Sequence, residues 1–335
     1  MPGNNKSNNP AGSRQLVAPE LLPLLDFFPA FDFNEQILGA IRAGIGMDAQ
    51  KRPPLSPELQ AVPCEQRLIP GPPGAPDVRV LVYTPPGKNA VTKRPAYLHM
   101  HGGGYILGNP ELNDESNRSF AAELGCVVVS VDYRLAPETR FPGALEDCYA
   151  ALLWLHSHAE YLGVDRSRVA IGGESAGGGH AAALAILARN RGEAQICFQL
   201  LESPMLDDRT GSASDPHPYC GEFVWTAASN RFGWGSLLGI EPGSAAVPSD
   251  AAPARVADLN GLPPACITVG ALDLFLEEDL EYSRRLIRAG VPTELHVIPG
   301  AFHGFAVAGG QAPQVQACMR LRRDALARAL QKPSG

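Results

Sequence analysis

Val169-Ala170-Ile171-Gly172-Gly173-Glu174-Ser175-Ala176-Gly177-Gly178 decides how this chain is read. A short apolar run, Val169 to Ile171, reads as a strand. The small residues from Ala176 to Ala188 read as a packed helix. Between them a serine is set in glycines, Gly173-Glu174-Ser175-Ala176-Gly177. Glycines two residues before and after the serine let a tight strand-to-helix turn form without side-chain collisions. Such a turn thrusts the hydroxyl outward and aims the helix's N-terminal N–H groups at the same spot, where an oxyanion could sit. By itself the pentapeptide also has a bland reading, a glycine-rich turn with a solvent-facing serine.

Working outward, strands and helices alternate. Strands are predicted at Glu65–Ile69, Val78–Thr84, Ala96–His101, Val127–Asp132, Val169–Ile171, Cys197–Leu201, Ala265–Val269 and Glu294–Ile298. The first two are separated by Gly71-Pro72-Pro73-Gly74 and read as a hairpin. Helices are predicted at Glu35–Ala43, Gly143–His158, Ala176–Ala188, from Glu277 to before Gly290, and from Pro313 to about Leu330. Alternation of this kind means an α/β fold, a mostly parallel central sheet flanked by helices on both faces. In such sheets chemistry gathers at the carboxyl ends of the strands.

Those ends carry a constellation in order. His101-Gly102-Gly103-Gly104 follows the strand ending at Met100, and Ser175 follows Ile171. Asp273 comes after Val269, and Phe302-His303-Gly304-Phe305 comes after Ile298. The order Ser…Asp…His suits acyl transfer. Ser175 would attack a carbonyl, His303 would take and return its proton, and Asp273 would hold the imidazole tautomer. An unperturbed imidazole titrates near ~6.5, within reach of neutral pH. The N–H groups of Gly103, Gly104 and Ala176 could converge on the developing oxyanion. Asp273 could alternatively cap the helix that follows it. Asp207 and Asp208 are alternative acids, read as structural.

Bulk properties narrow the partners. The 335 residues allow one large core plus a small accessory domain, with net charge −7 and no long basic stretch. That argues against nucleic acid or an anionic membrane as the main partner. The longest apolar run, Ala181 to Ala188, is too short to span a bilayer, so no stable membrane insertion is expected. No secretory signal is read at the N-terminus. Seven scattered cysteines without a C-x-x-C pair read as core residues of a reduced, cytoplasmic protein. No Gly-Lys-Ser/Thr, no G-x-G-x-x-G with an acidic partner and no H-E-x-x-H occurs, so neither a phosphate cradle nor a metal is expected. His99, His156, His158, His180 and His217 are read as structural.

Taken together, His101-Gly102-Gly103-Gly104, Asp132-Tyr133-Arg134-Leu135-Ala136-Pro137-Glu138, Gly173-Glu174-Ser175-Ala176-Gly177-Gly178, Phe141-Pro142-Gly143-Ala144-Leu145-Glu146-Asp147 and His303-Gly304-Phe305 resemble the bacterial hormone-sensitive-lipase-like esterases, family IV of the α/β-hydrolases. The resemblance runs from about Val78 to Phe305. One departure stands at the acid. The family's Asp-Pro-Leu-x-Asp-Glu reads Asp273-Leu274-Phe275-Leu276-Glu277-Glu278 here, without the proline.

The resemblance implies a cofactor-free carboxylesterase acting on small-molecule acyl esters of short to medium chain, with a helical cap over the site and a homodimer through the last strand and adjoining helix. The expected layout is a disordered 1–14, cap segments at 15–60 and 210–250, and hydrolase core at 61–209 and 251–335. Tyr105, Phe223 and Trp225 are expected to wall the substrate pocket, together with Tyr219, Phe232 and Trp234 of the insertion and the N-terminal cluster of Phe27, Phe28, Phe31 and Phe33; the cap aromatics could equally pack a small core of their own. An amidase or deacetylase on the same triad stays open. A non-catalytic receptor relative, of the plant gibberellin type, is disfavoured because His303 is present. For Glu174 the options are solvent, a cap residue or no contact.

Overall fold

The computed structural model describes residues 12–27, 32–48, 54–87, 93–212, 216–306 and 310–331, with Phe27 and residues 45–48 described by backbone alone. Most of the segment expected to be disordered, along with Phe28, Phe31 and parts of both expected cap segments, lies outside the described residues. The disorder expected through residue 14 does not reach Ser13. That residue is buried and its backbone N–H donates to Glu222 Oε2 at 2.5 Å, followed by a turn of 3₁₀ helix over Arg14–Leu16.

Eight strands form one sheet: β1 (Cys64–Ile69), β2 (Val78–Tyr83), β3 (Arg94–Met100), β4 (Val127–Asp132), β5 (Val164–Glu174), β6 (Phe198–Glu202), β7 (Ala265–Gly270) and β8 (Thr293–Ile298). Their order is β1-β2-β4-β3-β5-β6-β7-β8. β2 runs antiparallel to β1 and β4, and the remaining neighbours are parallel. Strand β5 extends well past the apolar run at its centre, because Asp165 to Arg168 at its entry are polar and its exit is glycine.

The helices are α1 (Glu35–Asp48), α2 (Pro57–Gln60), α3 (Asp114–Leu124), α4 (Gly143–Ser157), α5 (Ala176–Arg191), α6 (Ala227–Leu238), α7 (Leu276–Arg288) and α8 (Pro313–Leu330). Three of these have no counterpart in the sequence expectations. The four-residue α2 sits in the proline-rich link. In α3 only a narrow face is buried (Asn117, Phe120 and Ala121), so its apolar period is faint. Helix α6 carries Gly233 and Gly235 where a periodic stripe would stand; a Cβ on Gly233 would press on the Gly104 carbonyl oxygen at 2.7 Å.

Side chains alternate across the strands and divide the core in two. Ala96, Leu98, Met100, Val169 and Ile171 face one layer, packed under α4, α5 and α7. Tyr97, Val128, Ala170 and Leu200 face the other, packed under α3 and α8. Fully burying one such aliphatic side chain is worth roughly 2 kcal/mol. A third cluster joins α1 and α6 to the loops after β3 and β6, through Leu38, Tyr105, Met205, Trp225 and Trp234. These elements lie over the carboxyl ends of the strands.

Candidate active site

The β5–α5 crossover explains its own glycines. Ser175 has φ 55° and ψ −119°, a strained conformation for a residue with a side chain. The surroundings hold it there. Its N–H donates to the Glu202 carbonyl at 2.8 Å, and its carbonyl accepts from Gly179 at 2.9 Å and Met205 at 3.0 Å. A Cβ on either Gly173 or Gly177 would run into the Met100 carbonyl, so strand and helix could not close on β3.

The three strand ends meet at this serine. His303 Nε2 lies 3.0 Å from Ser175 Oγ, and His303 Nδ1 lies 2.9 Å from Asp273 Oδ2 and 3.0 Å from Oδ1. All three side chains are buried. Asp273 caps nothing at the start of α7, whose N-cap is Phe275 without a side-chain cap; its Oδ1 instead also accepts the Phe275 N–H at 3.0 Å. Leu274, in place of the family's proline, is partly buried against the aromatic cap cluster. Asp207 forms an ion pair with Arg209 at 2.7 Å, and Asp208 one with Arg255 at 2.5 Å, so neither reaches the histidine.

Gly103 and Gly104 line a cleft of about 260 Å³ together with Ser175 and His303. Among the described residues no acceptor takes the N–H of Gly103, Gly104 or Ala176. The glycine loop is braced from behind. His101 Nδ1–H donates to the Gly102 carbonyl at 2.8 Å, its ring stacks on Tyr133 at 4.2 Å, and Tyr133 Oη donates to the His101 carbonyl at 2.6 Å. Burial pushes the His101 imidazole down to about 4, and that of His180 to about 3. Both are neutral struts.

The pocket residues divide. Trp225 does line the cleft. Its ring covers Gly104 so closely that a Cβ there would strike the indole, and its Nε1–H donates to Asn230 at 3.1 Å. Tyr105 and Phe223 do not line it. Tyr105 is buried behind the loop, its hydroxyl donating to the Met205 carbonyl at 2.9 Å with its ring edge-on to His180 and Trp234. Phe223 packs on Phe302 at 6.0 Å. Phe33, of the N-terminal phenylalanine cluster expected there, lines the cleft, and Leu107, Leu112 and Val224 supply apolar wall that the sequence expectations did not name.

Glu174 has none of the partners considered for it. It is buried, and its Oε2 accepts from His99 Nε2 at 2.9 Å and from Asn113 at 3.2 Å, while its Oε1 accepts from Arg322 at 2.6 Å. Burial alone would raise this carboxyl, but His99 and Arg322 outweigh it and hold it down at about 2. Elsewhere, Cys266, Glu294 and His296 bring a thiol, a carboxylate and an imidazole within 4.8 Å of one another across β7 and β8. Arg328 already donates to both oxygens of that carboxylate, at 2.6 and 2.8 Å, and burial pushes the thiol up to about 12, so only the paired carboxylate is anionic there.

Residues 97–307 match the family described as alpha/beta hydrolase fold. The chain belongs to that family. This hydrolase is 34% identical to the Mycobacterium tuberculosis protein named Esterase LipI over 309 residues, 91% of this chain and 93% of the relative. It is also 34% identical to Carboxylesterase NlhH of the same species over 297 residues, 88% of this chain and 91% of the relative. Among solved structures, the bacterial heroin esterase superposes with a TM-score of 0.85 at 37% identity, covering 96% of the hydrolase and all of that chain (100%). The esterase LipW from Mycobacterium marinum gives 0.81 at 32% identity, covering 95% and 98%. The hydrolase thus falls in the hormone-sensitive-lipase-like esterase branch that its motifs resemble. No helix among the described residues is long and apolar enough to cross a membrane.

Proposed function

We propose that this hydrolase is a serine carboxylesterase that cleaves short- to medium-chain acyl esters through an acyl-enzyme intermediate. The observation that carries the reading is the unbroken hydrogen-bonded line from Ser175 Oγ through His303 to Asp273. Ser175 Oγ attacks the ester carbonyl carbon while His303 Nε2 takes the hydroxyl proton. Asp273 fixes the tautomer with the proton on Nδ1 and stabilises the imidazolium. The carbonyl oxygen, now an oxyanion, is received by the N–H groups of Gly103, Gly104 and Ala176. Collapse of the tetrahedral intermediate breaks the bond to the alkoxy oxygen, which leaves with the proton from His303 as the alcohol. Water, deprotonated by His303, then attacks the acyl-serine, releases the carboxylic acid and restores Ser175.

The modest cleft volume and its aliphatic and aromatic wall support small acyl groups over long chains. Assignment of residues 15–60 and 210–250 to a cap is supported by the cluster they share over the strand ends. Free thiols at all seven cysteines support a reducing, cytoplasmic setting, which fractionation of the host cell tests. Exposed Val297, Ile287 and Met319 beside edge strand β8 support a homodimer there, and light scattering against concentration checks it.

The decisive experiment is stopped-flow hydrolysis of p-nitrophenyl esters of increasing acyl length by the wild type and by Ser175→Ala. A burst of one equivalent per chain followed by slower turnover, absent in Ser175→Ala, is expected. Full turnover in Ser175→Ala would remove Ser175 as the nucleophile.

A further inference from the structure

Four buried polar side chains share the sheet face that α8 covers. Along β5 the period-two alternation puts Ala170 and Glu174 on that face; along β6 it does the same for Phe198, Leu200 and Glu202. His99 follows Tyr97 there on β3. From α8, Arg322 reaches down between them. One arm donates to Glu174 Oε1 at 2.6 Å and the other pairs with Glu202 Oε2. Arg322 and both carboxylates are buried. Asn117 and Ser130 both lie against His99 Nδ1, at 3.3 and 2.9 Å, and His99 Nε2 lies 2.9 Å from Glu174 Oε2.

An arrangement of this kind is poorly explained by stability. Burying two carboxyls and a guanidinium carries a desolvation cost that pushes the Glu202 carboxyl up, and replacing buried ion clusters by apolar groups is often neutral or stabilising. Its place in the backbone is informative. Glu174 is the residue immediately before Ser175. Glu202 is its register partner on β6, and the Glu202 carbonyl is the acceptor that holds the Ser175 N–H at 2.8 Å. Arg322 therefore grips the strained turn from both sides, through the residue that leads into it and the residue that anchors it.

We infer that Arg322 is a positioning residue for the nucleophile: by clamping Glu174 to Glu202 it fixes where Ser175 Oγ stands relative to His303 and the glycine loop. The inference rests on Ser175 being the nucleophile. Misplacement of a reacting group by about 1 Å can cost on the order of 10²-fold in rate. Such a loss falls on kcat when Arg322 alone is changed, because Arg322 is not part of the cleft wall, whereas Glu174 and Glu202 are.

Three variants test this: Arg322→Met, Arg322→Lys, and the neutral triple Glu174→Gln/Glu202→Gln/Arg322→Met. Active sites are counted by burst titration, so that unfolded molecules drop out, and melting is followed in parallel. Arg322→Met should lower kcat per titrated site by about 10²-fold with KM within about twofold. The triple variant should recover much of the lost melting temperature, having no unpaired charge, and still show the low kcat. Arg322→Lys, a charge without the two-armed fork, should fold and lose about tenfold in kcat. A wild-type kcat per site in the folded triple or in Arg322→Lys would overturn the inference and leave Arg322 a purely structural ion. Ser175→Ala runs beside them: turnover there strikes the nucleophile assignment, whereas its loss alongside unimpaired Arg322 variants strikes only this inference.

Discussion

The Ser175 turn and the segments that roof the cleft are held in opposite ways. Around Ser175 nearly every constraint is backbone: three main-chain hydrogen bonds on one residue, and glycines where carbonyls crowd. Over the cleft the constraints are side chains from segments almost two hundred residues apart. The Phe33 N–H donates to Ser229 Oγ at 3.2 Å, Phe33 packs on Trp225 at 5.4 Å, and Thr226 donates to Asp32 at 2.5 Å. Arg42 ties α1 to the core by donating to the Ile106 and Ala136 carbonyls at 2.8 and 2.6 Å and to Glu138 at 2.7 Å. Chemistry demands a fixed geometry and gets it from the backbone.

The comparison breaks most visibly at the triad. Asp273→Asn should leave the fold intact and lower kcat by about 10⁴-fold, because the amide no longer holds the required tautomer. Steady-state kinetics with a matched melting curve checks it. A loss that tracks the melting curve would instead make the buried carboxylate structural.

Gly104→Ala probes a point where the roof meets the glycine loop. The added methyl meets the Trp225 indole at a residue with φ 59°, so the oxyanion donor should shift and kcat fall by roughly 10²- to 10³-fold. Trp225→Ala in the same background should restore only part of it, since the backbone strain remains. Full restoration would place the whole defect in the roof.

Acid should find the core side first. His101 is held neutral by burial, its imidazole pushed down to about 4 from an ordinary value near ~6.5. Between those values the unfolded chain binds the extra proton, so stability is full above about pH 6.5 and declines as pH falls toward 4. The cost should reach on the order of 3 kcal/mol across that window, with His180 adding in the same direction. Melting temperature against pH measures it, and His180→Phe should flatten the slope. A flat profile for the wild type would mean these rings are reached by water.

The smallest effect belongs to the roof alone. Arg42→Met should raise KM a few-fold and cost about 1 kcal/mol, mostly from the two carbonyl contacts, because the Glu138 side of the pair is exposed. A kcat loss as large as that of Gly104→Ala would mean α1 is part of the machinery.

Much of the site was legible. All eight strands were legible, the inner six from short apolar runs and the mixed edge strands β1 and β8 from their neighbours, and glycine, acid and base stood at strand ends in chain order. Of the three helices that escaped, α2 is a single turn, and α3 and α6 have a narrow buried face or interior glycines, so their period was never written into the sequence. Tyr105 and Phe223 were misplaced because an aromatic next to a functional motif looks the same in sequence whether its ring turns toward the cleft or behind the loop. Arg322 and Glu174 were missed, although a signal existed. Arg322 interrupts the buried stripe of α8, Cys318, Arg322, Ala325 and Leu326, where an apolar residue belongs. Glu174 and Glu202 both fall on the face of their strands that α8 covers.

By itself, then, the sequence determined the sheet, the crossover and which candidate groups stand at the strand ends, because apolar period, glycine sterics and chain order are local properties that each segment carries with it. Tertiary structure alone decided which aromatic roofs the cleft, which acids are silenced by arginine, and that a helix near the end of the chain grips the turn around Ser175. Those outcomes depend on distances between segments far apart in the chain, and no local pattern encodes a distance.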